Sequence, residues 1–277
     1  LISERKGLVN IRIGIDPDIA KIGPLLLTWH GLFTALGILV AVWLTARELR
    51  RRGIALPNYD TWALVTVIGG ILGARLFFVL DHLDYFIGHP LQALAINEGG
   101  LAIYGAVFGG FVALVMLSRI FRQPLAPLLD AVVPGLLLAQ AIGRLGCTVN
   151  GDAWGGPCLH GCPITFTYTN PKDLLPADLL GVPTHPYPLY DIVVNLVVFA
   201  VIWRLRRRSV PAGTLAATYA VLYSFGRFFI SFVRQERVWF WGLQEAQVVA
   251  ILAFVAGLVA FAVLFRGQRH VPTPAEA

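Results

Sequence analysis

The sequence predicts an all-α polytopic membrane protein of seven transmembrane helices, N-terminus outside and C-terminus in the cytoplasm, with a small outward-facing head region. Three observations predict it. Seven apolar stretches run along the chain, and arginines gather in every second gap between them. The 277 residues are also 57% hydrophobic and only 14% charged, with a mean hydropathy of +0.70. That composition excludes an ordinary soluble domain. Residues 1–277 read as a single integral membrane domain, with 151–187 as a head insertion within it.

The stretches run over Leu25–Ala46, Trp62–Leu80, Leu101–Leu117, Leu125–Ile142, Leu189–Leu205, Leu215–Phe232 and Leu243–Phe265. Most have the roughly twenty residues that cross ~30 Å of hydrocarbon. After the first come Arg47, Arg50, Arg51 and Arg52; after the third, Arg119 and Arg122. After the fifth come Arg204, Arg206, Arg207 and Arg208, and after the seventh Arg266 and Arg269. By the positive-inside rule these gaps are cytoplasmic, so Gly99–Tyr104 and 143–187 face outward. The net charge of +6 sits mostly at these helix ends, so it reads as topology anchoring and no nucleic-acid partner is expected. The first stretch is long, lacks a cationic run just before it and has no small-residue cleavage site, so no cleavable signal peptide is expected.

Three cysteines are too few for a disulfide scaffold. Cys158 and Cys162 fall in an outward loop, where a local disulfide and two free thiols are both compatible with the sequence. His160 between them suggests a metal site, but no fourth ligand is evident, so neither a metal nor a cofactor is expected.

Several spans carry polar residues that lipid does not tolerate. Arg75 lies within the second, Arg144 ends the fourth and Arg227 sits in the sixth. An arginine at mid-bilayer costs ~2.5–3.5 kcal/mol. One alone reads as a snorkelling side chain; three on the same half of the membrane suggest a shared anion site. Asp130, Pro134, Gly135 and Gln140 interrupt the fourth span, which predicts a helix covered by protein or lining a cavity. The spacings Gly69-x-x-x-Gly73 and Gly105-x-x-x-Gly109 predict close helix packing.

The segment Gly143-Arg144-Leu145-Gly146-Cys147-Thr148-Val149-Asn150-Gly151-Asp152-Ala153-Trp154-Gly155 follows the fourth span, framing a cation, an amide and a carboxylate with glycines at the outer boundary. It resembles the signature of the prolipoprotein diacylglyceryl transferase family, Gly-Arg-x-Gly-Asn-Phe-x-Asn-x-Glu-x-x-Gly. Gly143, Arg144, Gly146, Asn150 and Gly155 match it; Cys147, Thr148 and Asp152 depart from it. Trp29-His30-Gly31-Leu32 stands where the family has Trp-Tyr-Gly-Leu, and Gly99–Gly105 matches a motif that often carries histidine at the Tyr104 position. His185-Pro186-Tyr187-Pro188-Leu189-Tyr190-Asp191 is similar to His-Pro-x-x-Leu-Tyr-Glu. The run from Arg227 through Arg234 to Gln235 is similar to Arg-x-x-x-Glu-x-x-Arg-Gln, with Ser231 replacing the glutamate.

The resemblance covers nearly the whole chain. It implies transfer of the diacylglyceryl group of phosphatidylglycerol to the lipobox cysteine thiol of a prolipoprotein signal peptide, with glycerol 1-phosphate leaving, at the outer face of a bacterial inner membrane. The catalytic candidates are Arg144, Arg227, His30 and Tyr104; the substrate-binding candidates are Arg75, Asn150, Asp152, Gly155, Arg234 and Tyr190. Arg144 and Arg227 suit charge growing on the departing phosphate. With Ser231 one turn on, Arg227 has no carboxylate at the adjacent helical turn, and its charge is expected to be free for a ligand. His30 has two readings, a base for the thiol proton and an interfacial residue beside Trp29. Asp152 and His185 are lesser candidates for the base. Cys147 reads as a small half-buried filler, since direct transfer needs no enzyme thiol. A transporter or lipid-binding protein with an anion cavity is the competing class, but no internal repeat supports it; a divergent paralogue with another acceptor is the third.

Overall fold

A computed structural model describes residues 9–23, 25–95, 100–158, 161–234 and 238–266. Gly99, His160, Gln235 and Arg269, named above, lie outside the described residues. The chain runs through β1 (Val9–Ile13), β2 (Asp18–Ile22), β3 (Leu25–Thr28), α1 (Trp29–Arg51), α2 (Tyr59–Asp81), α3 (Leu83–Gly88) and α4 (Ile103–Ile120). It continues through α5 (Leu125–Asn150), β4 (Ile164–Tyr168), α6 (Tyr187–Leu205), α7 (Thr214–Ile230), β5 (Val238–Phe240), β6 (Leu243–Gln244) and α8 (Glu245–Arg266). Seven of these helices, all but α3, are long and apolar enough to cross a membrane. Large apolar side chains such as Leu39, Leu72, Val197 and Leu252 remain exposed on them, as helices solvated by lipid tails require.

Two spans differ most from the sequence-based boundaries. Leu25–Thr28 is not helical, because it pairs as β3 with β2; α1 instead runs on to include Arg47, Arg50 and Arg51. There the cations meet the negative end of the helix dipole. Helix α5 extends through Asn150, so most of the glycine-bearing signature is helical rather than a boundary loop.

The chain forms two compact units, residues 46–128 and residues 1–45 with 129–277. In the first, α2 and α4 approach so closely at Gly69, Gly73, Gly105 and Gly109 that a Cβ at any of them would overlap the facing helix. These glycines pack helices, as their spacing predicts. Arg75 is buried here, and its guanidinium donates to the main-chain oxygens of Gln92 (2.6 Å), Ala93 (2.8 Å) and Gly100 (3.1 Å).

In the second unit α5 is the most buried of the spans. Val133 and Leu137 pack with Val198, Ile202 and Leu215 from α6 and α7 in one cluster. The polar interruptions of α5 are met by protein. Asp130 accepts from the amides of Gly213 and Ala216, both at 2.9 Å, at the start of α7, and Gln140 donates to the Tyr219 hydroxyl at 2.9 Å.

The head is more than the 151–187 insertion. β1 pairs in parallel with β4, Val9 opposite Ile164 through Ile13 opposite Tyr168. Ile13 joins Phe166, Tyr168, Leu175 and Leu179 in a small core, whose burial pushes the Tyr168 phenol well above its usual value. Cys158 and Cys162 form a disulfide. Lys172 bridges Asp16 (2.7 Å) and Asp18 (3.3 Å), tying the N-terminal hairpin to the head.

Candidate active site

Gly146 brings α5 against α1: a Cβ there would come within 2.9 Å of the His30 Cα. His30, the second residue of α1, thereby lies beside Cys147, with Nδ1 3.9 Å from Sγ. Helix α5 ends at Gly151, whose φ of 67° lies in the left-handed region and whose amide closes on the Cys147 carbonyl at 3.0 Å. This C-terminal turn brings the next residue back toward the helix: Asp152 Oδ2 lies 3.4 Å from His30 Nδ1 and accepts from Asn150 Nδ2 at 3.1 Å. Asp152 Oδ1 is buried and has no hydrogen-bond partner among the described residues.

One turn earlier on α5, Arg144 donates through Nη1 to Cys147 Sγ at 3.6 Å and through Nε to Asp191 Oδ2 at 2.6 Å. Asp191 belongs to the first turns of α6 and is almost fully buried. The same Oδ2 lies 3.6 Å from Arg227 Nη1 on α7, and Asn195 donates to Oδ1 at 3.2 Å. Beneath them, the Tyr187 ring has the guanidinium carbons of Arg234, Arg227 and Arg144 at 5.0, 5.4 and 5.8 Å from its centre, within cation–π range.

The expectation that Arg227 carries an unneutralised charge is corrected. Its carboxylate comes from another helix rather than from the adjacent turn: Asp191 serves both arginines, while Ser231 turns its hydroxyl back to the Arg227 carbonyl at 2.7 Å. Neither Asp191 nor Tyr187 received a role from the sequence. An acidic residue in the first turns of an apolar span, which needs a buried partner, was the available signal for Asp191.

The remaining candidates divide. Gly155 forms an antiparallel bridge with Arg234, and a Cβ on it would come 2.6 Å from the His185 carbonyl oxygen; it positions the Arg234 segment. Tyr190 places its hydroxyl 3.5 Å from His185 Nδ1, beside the disulfide sulfur of Cys162, so its contact is with the head. Arg75 and Tyr104 belong to the unit of residues 46–128, where main-chain carbonyls meet the buried charge of Arg75. Among the described residues, two groups bring metal-ligand atoms within 4.8 Å of one another, Cys158, Cys162 and His185, and His30, Cys147 and Asp152; the disulfide engages both sulfurs of the first.

Seven membrane-crossing helices with three arginines gathered around one buried aromatic ring define a polytopic membrane protein with a polar, cationic interior site. The chain belongs to the prolipoprotein diacylglyceryl transferase family, whose profile matches residues 17–263. It is 38% identical to a phosphatidylglycerol–prolipoprotein diacylglyceryl transferase of Symbiobacterium thermophilum, over 91% of this chain and 94% of that protein. Relatives of the same name from Dehalococcoides mccartyi (36%, covering 91% and 93%) and a Nostoc species (34%, covering 92% of each) are similar over nearly their full lengths. The match does not favour a transporter.

Proposed function

We propose that this protein transfers the diacylglyceryl group of phosphatidylglycerol to the lipobox cysteine of a prolipoprotein. Its relatives carry that activity in their names. The observation that best supports a chemical role for the site is the pairing of Arg144 and Arg227 on one Asp191 oxygen over the Tyr187 ring.

The thiolate sulfur bonds to the glyceryl carbon and the carbon–oxygen bond to phosphate breaks. Glycerol 1-phosphate leaves with one more negative charge than the diester carried. Fixed guanidinium groups aimed at that oxygen stabilise the growing charge without having to reorganise, and Asp191 holds them in place beforehand. Arg234, the third cation on the Tyr187 ring, extends the cradle, with Gly155 fixing its backbone and Asn150 orienting Asp152. The acceptor thiol must lose a proton. His30 takes it: with Nδ1–H directed at Asp152, Nε2 is the basic atom, the arrangement that a carboxylate imposes on a neutral imidazole.

The arginine-bearing ends of α1, α4, α6 and α8 lie in the cytoplasm by the positive-inside rule, so the head and the site face outward across a bacterial inner membrane. Purified protein given phosphatidylglycerol vesicles should release glycerol phosphate only when a lipobox peptide is present. Release without peptide, or none with it, removes this function.

A further inference from the structure

His30, Cys147 and Asp152 are three of the positions, with Tyr104, Thr148 and Ser231, at which the chain departs from the family pattern. They come from α1, from the last turn of α5 and from the turn beyond it, and they converge. In a tetrahedral zinc site, with ~2.0 Å bonds to nitrogen and oxygen and ~2.3 Å to sulfur, neighbouring ligand atoms stand ~3.3–3.5 Å apart. Here Nδ1 and Oδ2 are 3.4 Å apart, Nδ1 and Sγ 3.9 Å, and the whole set falls within 4.8 Å. The nitrogen–oxygen pair already stands at the metal-bound separation, the nitrogen–sulfur pair has about 0.4 Å to close, and the remaining pair no more than about 1.3 Å.

A second observation points the same way. The buried Asp152 Oδ1 has no hydrogen-bond partner among the described residues, while Oδ2 is oriented by Asn150, so the carboxylate is held from outside the cluster yet is not saturated. Supporting hydrogen bonds of this kind orient metal-ligating carboxylates. His30 is 39% exposed on its side chain, so the cluster is not sealed inside the protein. The opposing consideration is Arg144, 3.6 Å from Sγ; its charge is met by Asp191 at 2.6 Å, and a thiolate ligand accepts such a hydrogen bond.

We propose that His30, Cys147 and Asp152 form a reversible site for Zn²⁺ and that its occupancy stops lipid transfer. One nitrogen, one sulfur and one carboxylate oxygen suit zinc better than magnesium or calcium. On binding, the Cys147 S–H bond gives way to an S–Zn bond and the proton leaves to solvent. Nδ1 becomes a ligand, which moves the imidazole proton to Nε2, the atom that would otherwise accept the substrate's thiol proton. The same metal ion thus removes the base. The inhibitory half rests on the function proposed above; the binding half does not.

The test uses the full-length protein in lipid nanodiscs, stripped with a chelator and then titrated with Zn²⁺ alone, with Co²⁺ as the spectroscopic probe. Wild type should bind one Zn²⁺ per chain and give a thiolate-to-cobalt absorption band. Its transfer rate should fall on the order of a hundredfold and recover with EDTA. Cys147→Asn, which keeps the transfer machinery, should turn over and lose both the band and the inhibition; Cys147→Ala serves if the asparagine variant does not fold. Zinc captured by the peptide's own thiol would inhibit every form equally and overturn the proposal. So would absence of stoichiometric binding by wild type, undiminished binding in both Cys147 variants, or a rate that falls on chelation. Binding without transfer in any form upholds the site and counts against the transferase function alone.

Discussion

Asp191 is the residue on which both arginines of the site depend. Because one oxygen serves both Arg144 and Arg227, the geometry of each guanidinium matters more than its charge alone. Lysine offers a point charge without the planar fork. Arg144→Lys and Arg227→Lys should insert and fold, yet transfer lipid on the order of a hundredfold more slowly, about 3 kcal/mol of lost stabilisation. Near-normal turnover with phosphatidylglycerol and a lipobox peptide would remove that arginine from the chemistry. Cys147 carries the opposite expectation. Direct transfer needs no enzyme thiol, so Cys147→Asn should keep a good part of the metal-free activity; complete loss in a folded protein would point to an enzyme-bound lipid. The arginines were legible in the sequence because a cation inside an apolar span is costly and conspicuous. Asp191 was not, because its partners lie on two other helices and no local spacing reveals them.

Among the elements, α5 shows how a broken-looking sequence makes an intact helix. Asp130 satisfies two amides at the start of α7, so it caps a different helix from its own. Asp130→Ala should cost about 1–2 kcal/mol, read as a lower thermal midpoint with the site chemistry retained. Sequence showed that α5 must be covered, but not that its carboxylate covers α7. At the head, Lys172 holds the Asp16 carboxyl below its usual value of 3.8 and is itself raised above 10.5. The Asp16 contribution is present above about 3.8 and is lost as pH falls through its lower folded value; the Lys172 contribution is present up to about 10.5 and is lost as pH rises through its folded value. Both groups are fully exposed, so the effect is local. Proteolysis of the β2–β3 hairpin should be slowest between those limits and faster at either extreme. Equal cleavage rates throughout would show that the pair does not hold the hairpin.

For the whole molecule, the seven spans were legible because twenty-residue apolar windows have few other uses. The head was not fully legible: β1 and β4 are too far apart in sequence for any local pattern to pair them. Their pairing carries a topological requirement. Two strands that share a sheet lie on one side of the membrane, so the chain between them must cross an even number of times, and α1, α2, α4 and α5 supply four crossings. The arginine distribution then says which side that is: on the proposed orientation, single-cysteine labelling from outside should reach Thr169 and miss Arg207, and the reverse pattern would end it.

That parallel pair also sets a timetable for biogenesis. Val9 meets Ile164, so the first strand leaves the ribosome about 150 residues ahead of its partner, on the order of ten seconds at ~5–20 residues per second. Throughout that interval β1 has nothing to pair with, and on the proposed orientation it waits on the far side of the membrane while the four helices able to span it follow. Insertion therefore precedes completion of the head. An export chaperone or the translocation machinery itself has a window in which to hold the waiting strand, and a chain that stalls before residue 164 would present an open edge to its neighbours.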